Sequence, residues 1–222
     1  MIDAHCHVAD SSSQAIICPL NWNNGDFKPP EGARALFFGC HPWYVDSYDE
    51  EHLRQMLEEN PGAGVGEIGL DRLKSKEISA RSRVVFSSQL QIAALMKRPV
   101  VLHGAKCWGE VVNEAKRYAQ AIPAFLFHGF SRSGGLLPDI KALNGFVSIG
   151  PALLNDHAVN YRELASKIPL DMLLVESDRT LETAAVTPKV IEVARVLARI
   201  RNIDEEKLIS ILDSNAQRFL GD

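Results

Sequence analysis

Two histidines one residue apart, His5 and His7, stand in the first apolar stretch of the chain, Ile2-Asp3-Ala4-His5-Cys6-His7. In a strand, side chains at i and i+2 share a face, with Cα atoms about 6.6 Å apart. Both imidazoles then lean toward one point and can hold one cation, and imidazole suits zinc, iron, nickel and copper. A structural strand with a wet histidine face fits this motif alone equally well. The ends of later apolar runs carry more. Gly64-Val65-Gly66-Glu67-Ile68-Gly69-Leu70-Asp71 gives Glu67, with Asp71 on the same face. Pro99-Val100-Val101-Leu102-His103 and Ala124-Phe125-Leu126-Phe127-His128 each end in a histidine, and Leu173-Leu174-Val175-Glu176-Ser177-Asp178 ends in an aspartate. Any one of these reads more simply as a turn, a cap or a hydrogen-bonded structural residue. Together, four histidines and two carboxylates at strand ends would be a costly polar cluster if left unpaired. A metal removes that cost. Six ligands exceed what one tetrahedral zinc needs, and two cations sharing a bridging carboxylate fit the count better.

The elements that must position these residues are eight short apolar runs, read as strands at 2–8, 15–21, 34–40, 63–70, 99–104, 124–130, 146–152 and 172–178. From the fourth onward, each is followed by a helical pattern. Residues 78–97 place Phe86, Leu90, Ala93 and Ala94 at helical spacing, and 108–120 and 134–143 are shorter candidates. Thr187-Pro188 reads as a helix cap with proline at the first helical position. Behind it, Val190, Ala194, Leu197 and Ala198 share one face. A last helix opens on Asp204-Glu205-Glu206, which suits the positive end of a helix dipole, and should bury Leu208, Ile211, Leu212 and Phe219. Strands alternating with helices imply parallel pairing, and eight such units imply a closed barrel with its chemistry at the C-terminal strand ends. The front departs from this pattern. About seven residues separate the first two strands, too few for a crossover helix. Residues 21–33 are loop-like, with Asn23-Asn24-Gly25 and Pro29-Pro30. The expected fold is a distorted (β/α)8 TIM-like barrel over residues 1–222, its first two outer helices reduced or missing. The apolar flank so uncovered calls for residues 9–33 to fold across it, or for self-association through residues 9–40.

Composition narrows the function classes. A chain of 222 residues suits one domain with a full core, and 46% apolar with 23% charged residues is ordinary for a soluble globular protein. A net charge of −4 leaves no whole-molecule footprint for duplex DNA, though a local basic patch remains open. No apolar run approaches a membrane span, and no basic-then-apolar leader pattern stands at the N-terminus. Cys6, Cys18, Cys40 and Cys107 are scattered, with no CxxC pair. They read as small buried residues in a reducing compartment, so a cytoplasmic location is expected.

The chain resembles the TatD-like metal-dependent hydrolases of the amidohydrolase superfamily. The resemblance is carried by the HxH segment 2–7, Gly39-Cys40-His41-Pro42-Trp43, Gly66-Glu67-Ile68-Gly69-Leu70-Asp71, the runs ending at His103 and His128, Leu174-Val175-Glu176-Ser177-Asp178, and Asn215. It implies a distorted barrel with two divalent cations, zinc, magnesium or manganese. By position, His5, His7 and Asp178 would hold one cation and His103 and His128 the other, with Glu67 bridging. It also implies a deoxyribonuclease or phosphodiesterase. The departures are the missing front helices, Gly104-Ala105-Lys106 where the family tends to carry an arginine, and Arg179-Thr180 where a proline is common.

On zinc, the pKa of a bound water falls from about 15.7 to about 7. The expected reaction is attack by such a hydroxide on phosphorus or carbonyl carbon, with Asp178 accepting the proton and Glu67 as the other catalytic residue. Glu176 and Asp71 are candidates to support the histidines from behind, or turn and cap residues. His41 and Trp43 are candidates to line the substrate cleft. The segment 71–83 holds five basic residues in an otherwise acidic chain. There Arg72, Lys74 and Lys76 are candidate phosphate contacts, with Lys106 and Arg179 assisting; a solvated helix entry is the plainer reading. Three classes follow: a two-metal phosphodiesterase on nucleic acid or nucleotides, a two-metal amide, ester or lactone hydrolase, and a non-catalytic metal-binding relative.

Overall fold

The computed structural model describes residues 1–9, 14–20, 22–23, 28, 30, 33–74, 76–131 and 134–222. Eight strands form one sheet in sequence order, every neighbouring pair parallel. They are β1 (Ile2–Cys6), β2 (Gln14–Ile17), β3 (Ala33–Phe38), β4 (Gly64–Asp71), β5 (Val100–Ala105), β6 (Phe125–Phe127), β7 (Gly145–Ile149) and β8 (Leu173–Val175). Helices α1 (Glu50–Glu59), α2 (Ala80–Met96), α3 (Trp108–Lys116), α4 (Leu137–Ala142), α5 (Val159–Lys167), α6 (Val190–Arg201) and α7 (Glu205–Leu220) follow from β3 onward. This is the TIM-like barrel expected. Between β1 and β3 no helix occurs among the described residues.

The last strand meets the first through polar groups. Ser177 N–H and Oγ–H donate to the two oxygens of Asp3, at 2.9 and 2.5 Å. Asp178 N–H donates to the His5 carbonyl at 3.1 Å, and His7 N–H to the Arg179 carbonyl at 2.8 Å. Asp3 is buried, and burial pushes its carboxyl up to about 7 against the pull of the Ser177 donors. This clasp sets His5 and His7 against Asp178.

One core lies between sheet and helices. A second joins Ile2, Phe37, Val101, Leu126, Phe146 and Leu174 to Ala216 and Phe219 of α7. There Phe219 stacks on Phe37 with centroids 5.5 Å apart. A third, small cluster packs Cys6, Ala15 and Ile17 with Ala9, Ala33 and Leu36. Ala15, Ile16 and Ile17 are fully buried. The core of β2 is therefore buried within the single chain, while Leu20 is 44% exposed and Ala35 and Leu36 are half-buried. About half of the expected covering segment 9–33 lies outside the described residues.

Several boundaries differ from the sequence expectation. The strand ends fall two to four residues short of the apolar runs at β1, β2, β3, β6, β7 and β8. Helices α1 and α5, for which the sequence reading gives no bounds, each bury two side chains: Leu53 and Leu57, and Leu164 and Ala165. Thr187-Pro188 is not the cap of α6. Lys189 is, with its N–H donating to Glu192 at 3.3 Å. Asp204 caps α7 as expected, accepting from Lys207 N–H at 2.9 Å, but Ile211 and Ala94 are only half-buried.

The clasp generates a test. Asp3→Ala leaves the Ser177 donors buried without an acceptor and should cost about 3 kcal/mol, since hydrogen bonds to buried charged groups are each worth about 1.5–3 kcal/mol. Asp3→Asn keeps an acceptor and should lose less. Urea melts of the three proteins measure this, and an Asp3→Ala midpoint equal to wild type would remove the clasp from the account.

Candidate metal centre

Glu67 occupies an irregularity in the ladder between β4 and β5, where the register shifts between Val65 and Ile68. A bulge re-aims a side chain, and here the carboxylate sits at the middle of the histidines. Next to it Gly69 has φ of +153°, and a Cβ there would stand 2.0 Å from the His103 carbonyl oxygen. Only glycine lets β4 and β5 approach this closely, which sets His103 beside Glu67.

The two carboxylate oxygens of Glu67 face different partners. Oε2 lies 3.5 Å from His5 Nε2 and 3.6 Å from His7 Nε2. Asp178 Oδ1 lies 3.5 and 3.6 Å from the same two nitrogens. Oε1 lies 2.5 Å from His103 Nδ1, 2.6 Å from His128 Nε2 and 3.6 Å from His41 Nε2. All six residues expected as ligands thus converge at the C-terminal strand ends, and His41 joins them.

The first half has the spacing of a coordination shell. Two bonds of about 2.1 Å at a tetrahedral angle hold their ligand atoms about 3.4 Å apart. Neither ring nitrogen of the fully buried His5 has a hydrogen-bond partner among the described residues. A cation held between His5, His7 and the two carboxylates would satisfy it. In the second half the histidines hydrogen-bond Glu67 directly. Burial alone would raise the Glu67 carboxyl, but His128, His41 and His103 outweigh it and hold the group well below the usual carboxylate range. Burial would lower His128, yet Glu67 carries it up to about 10. The protons there stand where positive charge is demanded, and a cation entering would displace them.

The outer nitrogen of each ring decides what the inner one can do. His7 Nδ1–H donates to the Cys18 carbonyl at 2.7 Å, leaving Nε2 a lone pair. His103 Nε2–H donates to Asp71 at 3.0 Å, so a cation that displaced the proton Nδ1 now gives to Glu67 would meet a lone pair there. His128 Nδ1 faces Glu176 at 3.5 Å, and Glu176 is itself held by the Ser148 hydroxyl. Asp71 and Glu176 therefore back the histidines, as one sequence reading had it. His41 is the reverse. Trp43 N–H donates to His41 Nδ1 at 3.2 Å, so the neutral ring carries its proton on Nε2, toward Glu67. Burial pushes its pKa down to about 4, keeping it neutral. His41 is thus a donor beside the ligands. Asp178 is the open member: its backbone is left-handed, φ +49°, and its side chain is half exposed.

The substrate candidates divide. Trp43 is exposed and donates Nε1–H to Asp71 at 2.7 Å. Lys74 lies 5.0 Å over the Trp43 ring and 5.8 Å from that of Tyr44. Lys76 and Lys106 are exposed on the loops after β4 and β5. Two candidates are engaged within the protein. Arg72 pairs with Glu110 of α3, which Arg83 also engages at 2.6 Å. Arg179 is buried, and its guanidinium donates to the Thr187 carbonyl at 3.1 Å. Asp3, quoted in the HxH motif, had been given no role.

A parallel eight-stranded barrel with histidines and carboxylates converging on its C-terminal face is the arrangement of metal-dependent hydrolases. Residues 31–221 match the family model described as TatD related DNase, and the chain belongs to that family. It is 26% identical to the uncharacterized metal-dependent hydrolase YabD of Bacillus subtilis, over 82% of this chain and 75% of YabD. It is also 26% identical to the human 3'-5' RNA nuclease TATDN2, over 82% of this chain but only 26% of that protein. The crystal structure of YjjV, a TatD homolog from Escherichia coli, superposes with a TM-score of 0.77 at 23% identity, covering 100% of this chain and 98% of that one. No helix among the described residues is long and apolar enough to cross a membrane, and the four cysteines are free and buried.

A cation that binds only the folded chain adds about 2.7 kcal/mol at a hundred times its Kd. For a chain of this size that is a Tm rise of about 5–10 °C. Manganese or zinc should produce it in wild type and His41→Ala, while Glu67→Gln should abolish it. Metal analysis should find His41→Ala fully loaded. Loss of metal from His41→Ala would show that the ring is a ligand.

Proposed function

We propose that the chain is a two-metal phosphodiesterase acting on single-stranded nucleic acid or its fragments. The observation that carries this is the carboxylate of Glu67, its oxygens facing two separate ligand sets. His5, His7, Asp178 and Glu67 Oε2 would hold one divalent cation, and His103, His128 and Glu67 Oε1 the other. Bound there, the pair would supply Lewis-acid polarisation of the phosphoryl oxygen and acidify the hydrolytic water toward neutral pH.

The remaining work falls to the chain. Asp178 is the accessible carboxylate beside the first set, and accepts the proton of the attacking water. His41, neutral and protonated on Nε2, donates to a non-bridging oxygen as charge develops there. Lys74, Lys76 and Lys106 present cations to flanking phosphates, replacing the arginine absent at Ala105. Trp43 offers an exposed ring on which a base can stack. The human relative is named for cleaving RNA from the 3' end, which agrees with this reading. A neutral amide, ester or lactone would make no use of the lysines, so that alternative is less well served.

The tests are kinetic. Asp178→Asn should lower kcat on a dinucleotide by about 100-fold or more, the usual contribution of a positioned base being about 10²–10⁴. Lys74→Ala with Lys76→Ala should raise KM for an oligonucleotide. It should also flatten the plot of log affinity against log salt by about 1.4, since each single-strand phosphate contact contributes about 0.7. Wild-type KM and salt slope in the double variant would return the loop to ordinary surface.

A further inference from the structure

Beside the ligand cluster, at the front of the barrel where outer helices are missing, lies a cavity of about 460 Å³. That volume falls among small-molecule sites. Its walls include Trp22, His41, Tyr44, Tyr48, Asp49 and His52. His41 is shared: the same residue places Nε2 3.6 Å from Glu67 Oε1. The cavity therefore adjoins the second half of the candidate metal centre, with the His41 ring between them.

Its chemistry selects what can enter. Trp22 and His52 stack with centroids 5.3 Å apart at 15°, and Trp22 is locked by its Nε1–H to the Gly39 carbonyl at 2.9 Å. They form a rigid back wall. Tyr44 is 47% exposed and offers a free ring. His52 Nε2 is buried without a hydrogen-bond partner among the described residues. No lysine or arginine stands among the described lining residues, and Asp49 contributes a carboxylate. A phosphate is unwelcome there. The nearby cation, Lys74, sits 5.8 Å from the Tyr44 ring and 5.0 Å from that of Trp43, which is not part of the lining.

We propose that this cavity is a subsite for the nucleoside attached to the scissile phosphate, holding its base and sugar while the phosphate rests at the Glu67 cluster. This rests on the phosphodiesterase reading. The rest of the strand then leaves past Trp43, with its phosphates on the exposed lysines. One aromatic-walled space of this size next to the reacting centre takes one nucleoside.

Calorimetric titration of the manganese-loaded protein with thymidine 5'-monophosphate and with inorganic phosphate tests the subsite. Wild type should bind the nucleotide at least about tenfold more tightly than phosphate, base–aromatic stacking being sequence-tolerant and of that order. Tyr44→Ala removes the free ring, and Ser47→Trp fills the cavity from another wall. Each should lose about tenfold in nucleotide affinity and keep its phosphate affinity, which also reports an intact fold. Each should raise KM for a dinucleotide by a similar factor. Equal binding of nucleotide and phosphate by wild type, or unchanged nucleotide affinity in both variants, would overturn the subsite. Dinucleotide hydrolysis with wild-type KM in both variants would overturn it too, while leaving the activity standing. Nucleotide preference lost in the variants, without any phosphodiester hydrolysis by wild type, would overturn the activity and uphold the cavity.

Discussion

The structure depends on one buried anion. Glu67 is 3% exposed and lies in the interior of a barrel, where an isolated carboxylate would be neutral or ruinous to stability. Its ionisation is secured by the histidines that surround it, and much of the C-terminal half of the barrel serves to hold them there. The register shift in β4 turns the carboxylate inward. The absence of a side chain at Gly69 brings β5 close enough for His103 to reach it. The Asp3–Ser177 clasp closes the circle and brings β1 with its two histidines against Asp178. A change at any of these places acts on Glu67 without touching it.

Charge at the centre is matched by charge behind it. Asp71 and Glu176 each stand on the far side of a histidine from Glu67. Each imidazole is thus bracketed by carboxylates, which raises its basicity and fixes which nitrogen faces inward. This is why the cluster tolerates so much burial, and why its polarity is inward-looking. The exposed lysines nearby are separate from it, standing on loops rather than strands. On the proposed reading the barrel would supply reaction geometry, and the loops affinity for what is brought to it.

The sequence showed the six strand-end residues because period-two apolar runs locate the strand ends, and in a parallel barrel those ends share a face. It showed the bare front because too few residues join β1 to β2. It set no bounds for α1 or α5, each of which buries two side chains. It misplaced the cap of α6 by two residues because Thr187 and Pro188 satisfy the local rule while Lys189 and Glu192 satisfy it in space. Arg72 and Arg179 looked like phosphate ligands because an arginine's partner on another element cannot be read from its own loop. Glu110 of α3 is such a partner for Arg72, while Arg179 is held by the Thr187 carbonyl within its own loop.

His41 shows where residue type ceases to be informative. By distance it belongs with the ligands, since its Nε2 is as near to Glu67 as that of His7. What separates the two rings is the group behind each. A carbonyl accepts from His7 Nδ1 and leaves the inner nitrogen a lone pair. An amide N–H donates to His41 Nδ1 and leaves the inner nitrogen a proton. Two of the five imidazoles around Glu67 are thereby told apart by the backbone atoms behind them. Asp178 stands open on the Oε2 side of Glu67 and His41 on the Oε1 side. On the proposed reading, a phosphoryl group seated between them would meet a proton acceptor on one side and a donor on the other; in-line displacement opposes the attacking and leaving oxygens, which leaves the His41 N–H to an equatorial, non-bridging oxygen.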